Sequence, residues 1–102
     1  MPYALWLRPA VHDARRRLPG HVRQRMVRLI DSLADDPRPH RSRSLNLPQP
    51  PPVSGWEVRR ARMHDWRVVY AVNDDLRRVA VLGVWRRPPY DYDDLATLLA
   101  EL

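Results

Sequence analysis

The chain contains no cysteine and no lysine. The first absence excludes disulfides, thiol nucleophiles and thiolate metal sites, and it suits a cytoplasmic protein. The four histidines, His12, His21, His40 and His64, share no metal-ligand spacing, so no metal and no other cofactor is expected. No apolar run approaches the roughly 18 residues that a membrane span needs. Arg8 and then Arg15 to Arg17 arrive before any apolar leader can develop, so neither a targeting segment nor a membrane partner is expected.

The second absence makes all 18 cations arginine, in a chain of 102 residues with formal net charge +6 and a pI near 10.9. Such a field favours polyanions, either nucleic acid or an acidic protein segment. Guanidinium forks grip phosphate in a bidentate manner but hold their proton near neutral pH, so a general base must be sought among other side chains. The length corresponds to one domain spanning residues 1–102.

Hydrophobic spacing gives the element order. Tyr3 to Arg8 reads as a short strand around Leu5 and Leu7, and Pro9 fits the first turn of a helix running to about Leu18. Pro19-Gly20 breaks it. A second helix is expected from about His21 to Ala34, with Val22, Met26, Leu29, Ile30 and Leu33 as its apolar stripe. Residues 37–54, with six prolines, read as a loop. Strands are expected over Trp56–Arg62, Asp65–Asn73 and Arg77–Arg87, with Asn73-Asp74-Asp75 as a hairpin turn between the last two. A short helix capped by Asp91 or Asp93 would end the chain. The fold class is therefore α+β, with the order β-α-α-β-β-β and a C-terminal helix. A helical hairpin would cover one face of a small, mainly antiparallel sheet.

Strand alternation assigns faces. Trp66, Val68, Tyr70 and Val72 form the greasier set and are expected under the helices, leaving Arg67, Val69, Ala71 and Asn73 on the open face. Parity allows Glu57, Arg59 and Ala61, and likewise Val81, Gly83, Trp85 and Arg87, to join Arg67 there.

Three segments resemble toxins of the RelE/ParE superfamily. They are Ile30-Asp31-Ser32-Leu33-Ala34-Asp35-Asp36-Pro37-Arg38-Pro39 at the end of the second helix, Trp66-Arg67-Val68-Val69-Tyr70-Ala71-Val72 followed by Asp74-Asp75, and Val81-Leu82-Gly83-Val84-Trp85-Arg86-Arg87 followed by Tyr90. The resemblance runs over roughly residues 3–92 and includes the element order. It implies the toxin of a type II toxin–antitoxin pair. RelE-type members cut messenger RNA in the ribosomal A site, whereas ParE-type members bind DNA gyrase without a known catalytic centre. Both kinds are held by a cognate acidic antitoxin, and operator DNA is met only through the toxin–antitoxin complex.

Of the two, the resemblance is read first as a ribosome-dependent mRNA endoribonuclease, in which a 2′-hydroxyl attacks the adjacent phosphate. That reaction needs a base at the 2′-oxygen, cations on the phosphorane and a proton for the leaving 5′-oxygen. Carried onto this chain, the resemblance makes Arg67 a phosphate clamp and gives Arg87 phosphate or leaving-group stabilisation. Tyr90 would orient the 2′-hydroxyl or stack on a base, the alternative being an aromatic that caps the sheet edge. Arg59 falls where RelE-type enzymes carry a basic residue, and Glu57 is the first candidate for the base, with His64 second. Arg60, Arg62, His64, Trp85 and Arg86 are the expected substrate contacts. Two alternatives stay open: that Glu57 serves only in an ion pair with Arg59 or Arg67, and that Trp85 fills the hollow left by Gly83. The chain departs from the pattern in having no lysines where RelE itself uses them, and in carrying Trp85 where many relatives have histidine.

Overall fold

The computed structural model describes residues 2–45 and 55–86. Their elements are β1 (Ala4–Leu7), α1 (Pro9–Arg16), α2 (Gly20–Ser32), β2 (Ser42–Ser44), β3 (Glu57–Met63), β4 (Trp66–Asn73) and β5 (Arg78–Trp85). Five strands form one mixed sheet in the order β1-β5-β4-β3-β2. The β3, β4 and β5 strands make an antiparallel meander, β2 adds antiparallel to β3, and β1 pairs parallel with β5 at the opposite edge. The expected α+β arrangement, a helical pair on a mainly antiparallel sheet, is present, β1 supplying the one parallel pairing among the described strands. One difference is that the proline-bounded segment read as loop contains the short strand β2. The expected C-terminal helix lies outside the described residues.

Local chemistry accounts for the helix boundaries. Pro9 occupies the first turn of α1, where its missing N–H costs nothing. Arg15 and Arg16 sit in the last turn, favourable against the negative end of the helix dipole. At the end of α2 the Ser32 hydroxyl donates back to the Leu29 carbonyl at 2.6 Å, which competes with continued helix. Among the described residues no helix is long and apolar enough to cross a membrane.

Two apolar clusters flank the sheet. Under the helices, Val11, Leu18, Met26, Ile30 and Leu33 pack on Ala61, Met63, Val68, Tyr70, Val72, Val79 and Val81. The expected helix stripe and the expected inward set of β4 are both found there. On the other face Val58, Val69, Ala71, Ala80 and Leu82 form a second buried cluster, with Leu45, Trp56 and Trp85 packed against it. That face is therefore not an open concave surface along its whole length. Its centre is apolar and covered, with Asn73 and Arg78 paired at the β4–β5 end and the arginines of β3 and β4 at the β3–β4 hairpin end.

Candidate functional site

The β3–β4 turn sets which side chains meet. Met63 pairs with Trp66, so the loop is two residues long, His64 and Asp65. Paired residues share a face, hence Glu57, Arg59 and Ala61 lie opposite Val72, Tyr70 and Val68 on the helix side. The expectation that these three would join Arg67 on the other face is corrected: a one-residue difference in register moves every side chain across the sheet. Val81 is corrected too. The ladder shifts between Val69 and Tyr70, so Gly83 opposes Val69 while Val81 opposes Tyr70. The resulting irregularity leaves Leu82 as the extra residue and separates Val81 from Gly83 and Trp85.

Glu57 is engaged on both oxygens. Arg38 Nε donates to Oε1 at 3.0 Å and Arg59 Nη1 donates to Oε2 at 3.2 Å. Arg59 also donates from Nε and Nη2 to Ser42 Oγ, at 3.2 and 2.8 Å. The ion pair with Arg59 is one of the two alternatives left open for Glu57. The pair with Arg67 does not form, because Arg67 is on the other face. A carboxylate held between two guanidiniums, away from Arg60, Arg62 and Arg67, is poorly placed to take a proton from a substrate bound to them.

The other face gathers cations instead. Arg60 pairs with Val69, and Arg62 stands directly across from Arg67. Arg43 of β2 stands directly across from Arg60. Arg67 Nη1 donates to the carbonyls of His64 at 2.8 Å and Trp66 at 3.0 Å. It thus closes the turn that carries His64, while its buried Nε has no acceptor among the described residues. His64 adopts φ 51°, a left-handed conformation that histidine tolerates better than most side chains. Its Nε2 lies 2.8 Å from Arg25 Nη1. A guanidinium only donates, so that nitrogen accepts and its lone pair is occupied.

At this end of the sheet a groove of about 420 Å³ is lined by His40, Arg41, Arg43, Arg60, Arg62 and His64. Four guanidiniums and two imidazoles meet there, with no carboxylate among these lining residues. Of the expected substrate contacts, Arg60, Arg62 and His64 are brought together. Arg86 is separate: it is exposed and lines a neighbouring cavity with Arg25 and His64. Trp85 lies over Gly83, where a Cβ atom would collide with its indole ring, so it fills the expected hollow. Arg87 and Tyr90 lie outside the described residues. His40, Arg41 and Arg43 went unassigned in the sequence because they fall in the segment read as loop. The signal that could have found them is the alternation Arg41-Ser42-Arg43-Ser44, the two-residue period of a strand with one basic face.

Comparisons with known proteins agree with the fold. Residues 5–88 match the family profile described as the ParE toxin of type II toxin-antitoxin system, parDE. A chain in the crystal structure of the archaeal RelE–RelB complex from Pyrococcus horikoshii OT3 is similar over 88% of this chain and 100% of that one, at 25% identity and a TM-score of 0.74. A chain of the toxin–antitoxin complex RelBE2 from Mycobacterium tuberculosis is similar over 85% and 100%, at 20% identity and a TM-score of 0.66. The isolated E. coli RelE toxin is similar over 93% and 95%, at 20% identity and a TM-score of 0.61. Comparison with curated proteins gives no match.

Proposed function

We propose, from the premise that this chain belongs to the family of ParE toxins of type II toxin–antitoxin systems within the RelE/ParE superfamily, that it is a ribosome-dependent endoribonuclease acting through the groove beside β2 and β3. The observation that carries this reading is the groove's lining, in which Arg41, Arg43, Arg60 and Arg62 surround His40 and His64. Four guanidiniums in one groove lining suit a phosphodiester and the added charge of its phosphorane. Imidazole supplies the acid–base function that arginine lacks.

A cross-strand pair supports the same reading. Arg62 across from Arg67 is a like-charge pair that disfavours the sheet unless an anion lies beside it. In this arrangement Arg60 and Arg62 clamp the phosphate. Arg67 is a positioning residue, since its guanidinium holds the turn that presents His64. Glu57 and Arg59, expected from the resemblance to be catalytic, serve instead to fix β2 to β3. Two similar structures contain complexes named RelE–RelB and RelBE2. With a net charge of +6, that likeness supports a small acidic antitoxin as the standing partner of this chain.

A second reading, non-enzymatic inhibition of DNA gyrase, is favoured by the withdrawal of Glu57 into ion pairs and by Trp85 packed where many relatives carry histidine. One comparison separates the two. Purified toxin is incubated with programmed ribosomes under single-turnover conditions and, in parallel, with gyrase in a supercoiling assay. Cleavage of A-site messenger RNA to a cyclic phosphate and a 5′-hydroxyl is the expected result. Gyrase inhibition with intact RNA would overturn the endoribonuclease reading.

A further inference from the structure

We infer that His40 is the general base of the groove, the group that takes the proton from the attacking 2′-hydroxyl. The inference rests on the endoribonuclease reading and deepens it.

Three observations converge on His40. It lines the groove together with Arg41, Arg43, Arg60, Arg62 and His64, and it also borders the adjoining cavity under α2. Its side chain is exposed, and neither ring nitrogen has a hydrogen-bond partner among the described residues. The other imidazole of the groove differs, since Arg25 occupies Nε2 of His64. Only imidazole, among the side-chain types lining the groove, exchanges a proton near neutral pH, and His40 has the accessible lone pair.

The backbone around His40 is held on both sides, which a base needs if it is to meet a substrate oxygen repeatedly in one geometry. Upstream, the Pro37 carbonyl accepts from the buried Tyr70 hydroxyl at 2.7 Å, and Arg38 is bound to Asp74 and Glu57. Downstream, Ser42 donates to the Pro39 carbonyl from its backbone N–H at 2.9 Å and from Oγ at 2.8 Å, and Arg59 donates to that same Oγ. A residue exposed at its side chain is thus set between anchored neighbours.

The step balances without a cofactor. His40 accepts the 2′-hydroxyl proton as the 2′-oxygen forms its bond to phosphorus. The bond from phosphorus to the 5′-oxygen breaks, and its electron pair leaves with that oxygen, which takes a proton from solvent water. The arginines carry the phosphorane charge. The products are a 2′,3′-cyclic phosphate and a 5′-hydroxyl, and the imidazolium returns its proton to solvent.

The test uses full-length wild type, His40→Ala and His64→Ala in single-turnover cleavage on programmed ribosomes from pH 5.5 to 8.5, with ribosome binding and circular dichroism measured in parallel. His40→Ala is expected to lose on the order of 10²-fold or more in rate, together with the wild type's rise of rate with pH. Ribosome binding and fold are expected to persist, and added imidazole to restore part of the rate. If His40→Ala cuts at the wild-type rate with an unchanged pH profile, the inference falls and the endoribonuclease reading stands. Loss of the pH-dependent limb with imidazole rescue in His64→Ala alone would move the role to His64 and overturn the inference. If wild type cuts nothing on ribosomes, both fall together.

Discussion

Arg38 grips Asp74 through both terminal nitrogens, Nη1 to Oδ1 at 3.1 Å and Nη2 to Oδ2 at 2.9 Å. The pair ties the segment after α2 to the β4–β5 turn, and the Tyr3 hydroxyl also donates to Asp74. Hydrogen bonds from Arg38 first, and from Tyr3 second, hold the Asp74 carboxyl below its ordinary value of 3.8. A depressed folded-state value means a contribution that is complete above the unfolded value and is lost as pH falls through the folded one. The expected outcome is a Tm difference between wild type and Asp74→Asn that is present at pH 6 and shrinks once the pH falls below 3.8 and through the depressed folded-state value, as the wild-type carboxyl is itself protonated. Thermal melts across that range check it, and a constant difference down to pH 2 would refute the linkage.

Glu57→Gln separates a structural carboxylate from a catalytic one. Arg59 is only 13% exposed at its side chain, so neutralising Glu57 leaves a nearly buried guanidinium without its counter-charge. The expected cost is about 1–2 kcal/mol of stability, since a glutamine oxygen still accepts one hydrogen bond. Cleavage per folded molecule should remain within a few-fold of wild type. A rate loss of two orders of magnitude at unchanged stability would return Glu57 to the role of base.

The hydroxyl of Tyr70 is buried and donates to the Pro37 carbonyl, so removing it strands an acceptor rather than exchanging a protein bond for a water bond. Tyr70→Phe is expected to lower stability by about 1–3 kcal/mol in urea unfolding, with an unchanged m-value. The same bond anchors the approach to His40. Wild-type stability in the variant would mean that this end of the chain is held by other contacts.

Gly83 and Trp85 form a second pair that can be tested. The indole lies where a Cβ on residue 83 would stand, so Gly83→Ala must displace the ring. Overpacking of this kind costs about 1–3 kcal/mol. The double variant Gly83→Ala with Trp85→Ala should be less destabilised than the two single effects added together. Strict additivity in that cycle would show that the two sites do not touch in solution.

Much of the fold was legible because its signals are local. The stripe of α2 and the inward set Trp66, Val68, Tyr70 and Val72 follow from periods of 3.6 and 2, and both pack where expected. The face shared by neighbouring strands was not settled, because parity alone leaves two choices per strand. The choice for β3 follows from turn length: a two-residue loop at His64-Asp65 places Met63 with Trp66, and so Glu57 with Val72. The Val69/Tyr70 irregularity depends on how Leu82 packs across the sheet, and no short-range pattern encodes that. The β2 strand was hidden because the alternation Arg41-Ser42-Arg43-Ser44 is short and set among the prolines of residues 37–54, and the groove was hidden with it.

The like-charge pairs predict opposite signs for stability and for binding. Arg62 faces Arg67 and Arg43 faces Arg60, and Arg43 and Arg62 are themselves exposed. Replacing either exposed member with threonine removes repulsion and adds a side chain that favours strands, so Arg62→Thr and Arg43→Thr should each gain roughly 0.2–1 kcal/mol of stability. If those guanidiniums meet phosphates, the same variants should bind ribosomes more weakly. Each should also reduce the slope of log affinity against log salt by roughly 0.7–0.9, one released counterion per lost contact. Chemical denaturation and ribosome-binding isotherms at several salt concentrations measure both quantities on the same preparations. A variant that gains stability and keeps the wild-type salt slope would show that its arginine repels its neighbour without serving an anion.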